Sequence, residues 1–128
     1  MPADFRVRRV LETLRSDWNR DLRIHDLARA VGLGISRLEE LFRSELQISI
    51  RAFLHHLRLE KAAEQIATTT ERISQVVYSV GFRDVSNFNH AFKKRYGLAP
   101  KGYRERHQSM LDGSGRRDSN QENASATN

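Results

Sequence analysis

Apolar residues recur at intervals of three and four along most of the chain, and this spacing predicts helices. Between Phe5 and His107 no segment alternates apolar and polar residues in the way that a half-buried strand does. Glycines follow three of the helical segments, at Gly32, Gly81 and Gly97, where a residue in the left-handed conformation commonly ends a helix. The fold class is therefore all-α, with seven helices at about residues 4–18, 25–31, 35–45, 49–67, 73–80, 85–96 and 100–106.

The chain contains the same helix–glycine–helix pattern twice. Five residues of the first copy return 49 positions later, namely Ile24, Leu27, Ala28, Val31 and Gly32 as Ile73, Val76, Val77, Val80 and Gly81. After one inserted residue the spacing becomes 50, which pairs Leu38, Leu41 and Phe42 with Phe88, Ala91 and Phe92. A short apolar helix, a glycine turn and a second apolar helix are typical of a helix-turn-helix. The sequence predicts two helix-turn-helix lobes joined by a long central helix.

The domain organisation follows from this repeat. Lobe one covers about residues 5–48, the linker helix about 49–67 and lobe two about 71–106, within one domain of residues 1–107. Residues 108–128 are rich in Gly, Ser, Asn, Gln and Thr. Such a composition buries too little apolar surface to order itself, so this segment is predicted to be a disordered polar tail.

The positive charge is concentrated in the second copy of the repeat. The net charge is +6, which favours an acidic partner but is weak evidence alone. Residues 22–71 carry seven basic and seven acidic side chains, whereas residues 72–107 carry eight basic and two acidic ones. The second lobe therefore has the charge that a nucleic-acid-binding surface needs.

Several function classes are disfavoured by composition. The chain has no cysteine, and its five histidines form no ligand cluster, so no metal or other cofactor is predicted. No nucleophile motif or glycine-rich phosphate loop accompanies the acidic residues, which makes a small helical enzyme the weaker interpretation. The N-terminus lacks an apolar run suited to a signal peptide, and no stretch is long enough for a membrane helix, so a cytoplasmic protein without membrane association is expected.

The sequence resembles the DNA-binding domain of the AraC/XylS family of transcription regulators over about residues 5–107. The residues that carry the resemblance in the second half are Gly81-Phe82, Ser86-Asn87-Phe88, Ala91-Phe92-Lys93, Tyr96-Gly97, Pro100 and Tyr103-Arg104. Those in the first half are Leu27-Ala28, Val31-Gly32-Leu33, Leu38, Leu41-Phe42, Phe53, Arg58-Leu59 and Ala62. The resemblance implies seven helices in two lobes and sequence-specific binding of double-stranded DNA, with two recognition helices in major-groove segments about 34 Å apart.

The chain departs from the family pattern at three positions. Gly34 stands where the family usually has a serine that caps the first recognition helix, and Gln47 stands where a glycine usually ends it. Val77 occupies a position that is usually alanine. Few residues precede the first lobe, so the chain is similar to the stand-alone, MarA-type activators, with one domain of a longer regulator as the alternative.

The outward faces of the third and sixth helices supply the candidate DNA contacts, because the opposite faces are apolar. The predicted base-reading residues are Ser36, Arg37, Glu39, Glu40, Val85, Ser86, Asn89 and His90. The predicted phosphate contacts are Arg43, Ser74, Arg83, Lys93, Lys94 and Arg95. An asparagine pairs well with adenine, a valine with the thymine methyl, and lysine or arginine with phosphate. Solvated helix faces are the alternative reading of these residues, which their position in the repeat disfavours.

The function predicted from the sequence is that of a transcription regulator that binds DNA as a monomer. Because Glu39 and Glu40 would lie near phosphates, the second lobe is expected to supply most of the affinity. The resemblance implies an activator that touches RNA polymerase. The alternative is that only the second lobe binds DNA, while the first lobe is a protein-interaction module.

Overall fold

A computed structural model of the chain describes residues 2–113, and all secondary structure among them is helical. Residues 108–113 of the predicted tail belong to the last helix, and the remainder of that tail lies outside the described residues. The helices are α1 (Phe5–Ser16), α2 (Ile24–Ala30), α3 (Ile35–Leu46), α4 (Ile50–Thr68), α5 (Ile73–Ser79), α6 (Val85–Tyr96) and α7 (Pro100–Gly113). The prediction of an all-α chain with seven helices is confirmed.

The chain forms two compact units, and the boundary between them falls inside α4. The first unit comprises the residues up to Lys61 together with Ser79–Gly81. The second comprises Ala62–Tyr78 and the residues from Phe82 onward. One helix therefore supplies its first part to one unit and its last part to the other.

The first unit is built around the apolar faces of α1, α2 and α3. Helix α3 packs against both α1 and α2. The buried core residues are Val7, Val10, Leu11, Leu14, Leu27, Ala28, Leu38, Phe42 and Ile50. Helix α2 has only seven residues, so its stability depends on this packing rather than on helix propensity.

Gly32 and Gln47 determine how the helices of the first unit end. Gly32 follows α2 with a φ of +73°, and its N–H donates to the carbonyl oxygen of Arg29. Gln47 follows α3 with a φ of +63°, a left-handed conformation that is uncommon outside glycine. The Gln47 N–H donates to the Arg43 carbonyl oxygen at 2.8 Å, and its side-chain amide donates to the Ser44 carbonyl oxygen at 3.0 Å. Gln47, at the position where the resemblance implies a glycine, thus adopts a conformation that favours glycine.

The second unit has an aromatic core that connects α6 to α7. The rings of Phe88 and Phe92 are fully buried, with centroids 5.5 Å apart. Phe82 meets Phe88 edge-on at 5.0 Å, and Tyr103 of α7 meets Phe92 edge-on at 5.1 Å. Burial raises the pKa of the Tyr103 phenol, and neighbouring Tyr96 acts in the same direction. These contacts fix the inner face of α6 and leave its other face to solvent.

Two of the predicted helix ends are wrong. Helix α1 ends at Ser16, and Trp18 lies partly buried in the connection that follows. Helix α7 does not end at Arg106 but continues to Gly113. Polar side chains hold the extension, because His107 contacts the Tyr103 carbonyl oxygen and Gln108 donates to the Thr69 carbonyl oxygen. The spacing of apolar residues does not predict contacts between a polar side chain and a backbone oxygen.

Candidate nucleic-acid interface

Helix α6 presents a polar and basic face opposite its buried phenylalanines. Its N-cap is Asp84, whose carboxylate accepts a hydrogen bond from the Asn87 N–H at 3.1 Å. This bond satisfies one of the free N–H groups in the first turn. The helix ends at Gly97, which has a φ of +79°.

The predicted base-reading residues of α6 share one side of the helix. Ser86, Asn89 and His90 are exposed, and Val85 at the first position is half-buried. Residues three and four apart are neighbours on a helix surface, so Ser86 is followed on this side by Asn89 and His90, and these by Lys93. The face therefore combines hydrogen-bonding groups for base edges with a cation one turn further along.

All of the predicted phosphate-contacting residues are exposed: Arg43, Ser74, Arg83, Lys93, Lys94 and Arg95. Lys93, Lys94 and Arg95 occupy the last turn of α6, where positive charge also complements the helix dipole. The guanidinium of Arg95 lies 5.6 Å from the centroid of the Tyr96 ring. Five of the six residues are cations, which suits a polyanionic ligand.

The corresponding face of α3 carries opposing charges. Leu38 and Phe42 are fully buried. Ser36, Arg37 and Glu40 are exposed, as predicted. The Nη1 of Arg37 donates to Oε1 of Glu40 at 3.3 Å, so these two charges largely compensate each other.

Glu39 is more buried than the sequence predicts. The residue is half-buried, and its Oε1 is shielded from solvent without a hydrogen-bond partner among the described residues. An outward face was expected because the apolar positions of α3 lie on the other side. A side chain at the edge of the apolar stripe can fold back over the helix surface, which periodicity does not reveal.

One exposed residue on the first helix face, Ile35, is predicted from the apolar spacing to face outward but is not among the predicted base-reading residues. Ile35, at the first position of α3, is 45% exposed. It is the repeat equivalent of Val85, at the first position of α6. Both are β-branched apolar residues that can contact a thymine methyl group. Its correspondence with Val85 at a spacing of 50 residues is the signal that would have added Ile35 to the predicted base contacts.

Comparison with known proteins identifies the family. A profile described as "Helix-turn-helix domain", of the AraC type, matches residues 27–106, which is most of the chain. The chain belongs to the AraC/XylS family of DNA-binding domains. This chain is therefore a DNA-binding domain and not an enzyme.

This chain is similar to parts of much longer proteins. It is 36% identical to the transcriptional activator NphR of a Rhodococcus species, over 80% of this chain and 30% of that protein. It is 30% identical to the xylose operon regulatory protein of Escherichia coli K12, over 80% of this chain and 26% of that protein. The chain thus spans about a third or less of the length of these two relatives.

A solved structure supports the same fold. The C-terminal domain of AraT, a response regulator from Geobacillus stearothermophilus, matches with a TM-score of 0.72 and 30% identity. The match covers 80% of this chain and 85% of that structure.

No helix within residues 2–113 is long and apolar enough to cross a membrane. No three His, Cys, Asp or Glu residues in the described part of the chain are placed to hold a metal ion.

Proposed function

We propose that this chain is a sequence-specific DNA-binding transcription regulator in which α6 is the principal recognition helix and α3 a weaker, selective one. Each helix enters a major-groove segment, and the DNA site has two blocks of base preference about one helical turn apart. Because each block is read by a different helix, the site is asymmetric and one copy of the chain suffices.

The observation that carries the proposal is the exposed face of α6. Asn89 and His90 lie on it, beside Lys93 and Lys94. An asparagine can form two hydrogen bonds with the edge of adenine, while lysines bind phosphates without regard to sequence. A helix with both kinds of group on one face can bind the DNA backbone and distinguish bases.

Helix α3 supports less binding because its charges oppose one another. Arg37 is engaged by Glu40 at 3.3 Å, and one carboxylate oxygen of Glu39 is shielded from solvent. Arg43 is then the main cation on this face. Glu40 can accept from the amino group of cytosine, which gives selectivity at one base but little attraction to the backbone.

Alanine substitutions at fixed salt test this ranking. A duplex is first selected from a random pool, and its binding is measured by fluorescence anisotropy. Asn89→Ala is expected to weaken specific binding by at least about tenfold, which corresponds to one lost bidentate base contact. Asn87→Ala is the matched control, because Asn87 is an exposed asparagine of the same helix but lies about 200° away from Asn89. If Glu39→Ala weakens specific binding more than Asn89→Ala, the ranking of the two helices is wrong.

The second candidate function assigns DNA binding to the second unit alone and makes the first a protein-interaction module. The Arg37–Glu40 pair on α3 is the observation that favours it. The dependence of affinity on salt separates the two, because its log-log slope is about −0.9 for each phosphate neutralised. A slope of about −2 to −3 supports one DNA-binding helix, and a slope of about −6 or steeper supports two.

We further propose that the chain activates transcription in the cytoplasm through contact with RNA polymerase. The proposal rests on its similarity to a protein named as a transcriptional activator. A reporter gene with the selected site placed upstream of a weak promoter tests it. Expression that rises with the wild-type chain and not with Asn89→Ala supports activation, and expression that falls indicates repression instead.

A further inference from the structure

A single arginine of α4 holds the connection that leads into α2. The Nε of Arg58 donates to the Trp18 carbonyl oxygen at 2.7 Å, and its Nη2 donates to the Arg20 carbonyl oxygen at 2.8 Å. Both distances are short for N–H···O bonds, as is typical when the donor is charged. Arg58 is partly buried, and this burial lowers the pKa of its guanidinium. The guanidinium thus satisfies two carbonyl groups just before the first helix-turn-helix begins.

The second unit has the same arrangement, divided between two side chains of α7. The Nε of Arg104 donates to the Ile66 carbonyl oxygen at 2.9 Å. The side-chain amide of Gln108 donates to the Thr69 carbonyl oxygen at 3.3 Å. These carbonyl groups lie at the end of α4, just before the second helix-turn-helix begins at Ile73.

One bond of each set is related to the other by the internal repeat. Gln108 follows Arg58 by 50 residues, and Thr69 follows Arg20 by 49, which are the spacings of the two apolar patterns. The bond from Gln108 to Thr69 is therefore the repeat equivalent of the bond from Arg58 to Arg20. The repeat extends beyond the helix-turn-helix to a four-helix unit, whose last helix donates to the segment after its first.

We propose that Arg58 in the first unit, and Arg104 with Gln108 in the second, are positioning residues that set the orientation of each helix-turn-helix on DNA. They do not touch DNA themselves. Their bonds fix the backbone four residues before Ile24 and four before Ile73, where α2 and α5 begin. This rests on the proposed function, since it assumes that both helix-turn-helices meet DNA.

The short helices need such support. Helices α2 and α5 have seven residues each, fewer than a helix needs to be stable alone. The N-cap of α2 is Arg23, whose side chain makes no capping hydrogen bond. Without Arg58, the entry to α2 would lose two bonds. The partly buried Trp18 carbonyl oxygen would lose its donor, while the Arg20 carbonyl oxygen would keep only the bond from the Leu22 N–H.

Amide hydrogen exchange without DNA tests the positioning directly. Arg58→Leu is expected to speed the exchange of the α2 amides, Ile24–Ala30, by about tenfold relative to those of α5, and Arg104→Leu is expected to do the reverse at Ile73–Ser79. Arg51→Leu and Arg106→Leu are matched controls, because both replace exposed arginines of the same two helices. Uniform acceleration in both helices, or none, would overturn the proposal.

Lysine substitutions separate positioning from general stability. Arg104 uses one donor, its Nε, while its Nη2 is buried without a hydrogen-bond partner among the described residues. A lysine can supply one bond but not the two that Arg58 makes in its planar geometry. Arg104→Lys should therefore restore the wild-type exchange rates, and Arg58→Lys should not. Arg58→Lys also replaces Arg58→Leu in the exchange experiment if the leucine variant fails to fold.

Base selection completes the test. Arg58→Leu should relax base preference in one block of the site and Arg104→Leu in the other, with the salt slope unchanged. Loss of preference in both blocks with each variant would contradict separate positioning. If the wild-type chain selects a DNA site with a single block, the proposal that both α3 and α6 read bases is wrong. The hydrogen-exchange result still decides whether Arg58, Arg104 and Gln108 position the helix-turn-helix of their own unit.

Discussion

The guanidinium of Arg58 occupies the space that a side chain on Gly81 would need. A Cβ atom at Gly81 would lie 3.0 Å from both Cζ and Nε of Arg58, well inside ordinary van der Waals distance. Gly81 also has a φ of +100°, which disfavours any other residue. This glycine is therefore required for two separate reasons, one conformational and one steric.

Replacing Gly81 by alanine should destabilise the chain more than the same change at Gly32. Gly32 has a φ of +73° but open space within 4 Å of its Cβ position, so Gly32→Ala carries only the conformational cost of about 1 kcal/mol. Gly81→Ala adds the collision with Arg58 and should cost about 2 kcal/mol or more. Urea denaturation measures both values.

A double-mutant cycle isolates the steric part. Arg58→Ala removes the atoms that the new Cβ would meet, so Gly81→Ala should cost less in that background than in the wild type. Equal costs in the two backgrounds would mean that the guanidinium moves aside freely.

Replacing Gln47 by glycine should stabilise the chain. Gln47 has a φ of +63° at the end of α3, a conformation that glycine adopts without strain. We expect a gain of about 0.5–1 kcal/mol in the free energy of unfolding, since the side-chain bond to Ser44 is exposed and contributes little. Gly97, at the equivalent end of α6, is the converse control. Gly97→Ala should destabilise the chain by about 1 kcal/mol. A Gln47→Gly variant that is no more stable than wild type would contradict the claim that the backbone at Gln47 is strained.

Removing the carboxylate of Asp84 should loosen the start of α6. Asp84 accepts from the Asn87 N–H at 3.1 Å, and its charge also complements the positive end of the helix dipole. Asp84→Ala should cost about 1 kcal/mol in thermal or urea unfolding. Asp84→Asn keeps the acceptor and should retain most of that stability. If the two variants lose equal stability, the carboxylate acts through its charge rather than through the cap.

The Asp4 cap makes stability dependent on pH in the acidic range. Hydrogen bonds from the Arg6 side chain lower the pKa of Asp4 from its usual 3.8 to about 2. A group with a lowered folded-state pKa stabilises the fold above its unfolded pKa and loses that effect as pH falls. The contribution of Asp4 should therefore be complete above pH 4 and disappear as the pH falls to about 2.

Thermal unfolding across that range checks this dependence. The difference in melting temperature between wild type and Asp4→Ala should be constant above pH 4 and shrink steadily from pH 4 to pH 2. Asp4→Asn can still accept from the Arg6 N–H but has no charge to titrate, so its cap should hold at every pH. A constant difference between wild type and Asp4→Ala would contradict the link to ionisation.

Apolar spacing predicted α3 and α6 well because burial determines where they lie. Helix α6 begins and ends at the predicted residues, with Phe88 and Phe92 on its buried face. The turns at Gly32 and Gly81 were found because their positive φ angles require a residue type that is visible in the sequence. These features depend on neighbours within one or two helical turns.

The contacts that hold each unit together internally could not be predicted from the sequence. Arg58 reaches Trp18 and Arg20 across 40 and 38 residues, and Gln108 reaches Thr69 across 39. Each bond joins a side chain to a backbone oxygen, which leaves no trace in residue type at the accepting end. For the same reason the last helix was predicted to end too early.

The position of the unit boundary has a consequence for exchanging parts between relatives. Chimaeras are usually joined in loops, but here the boundary lies within α4, between Lys61 and Ala62. A crossover at that point keeps Arg58 with Trp18 and Arg20, and keeps Arg104 with Ile66. The incoming half then supplies residue 81, where glycine is favoured both by the φ of +100° and by the Arg58 side chain that stays in the first half. A relative with a larger residue at position 81 would bring both a strained φ and a crowded contact with Arg58, and a smaller side chain at position 58 would relieve only the second.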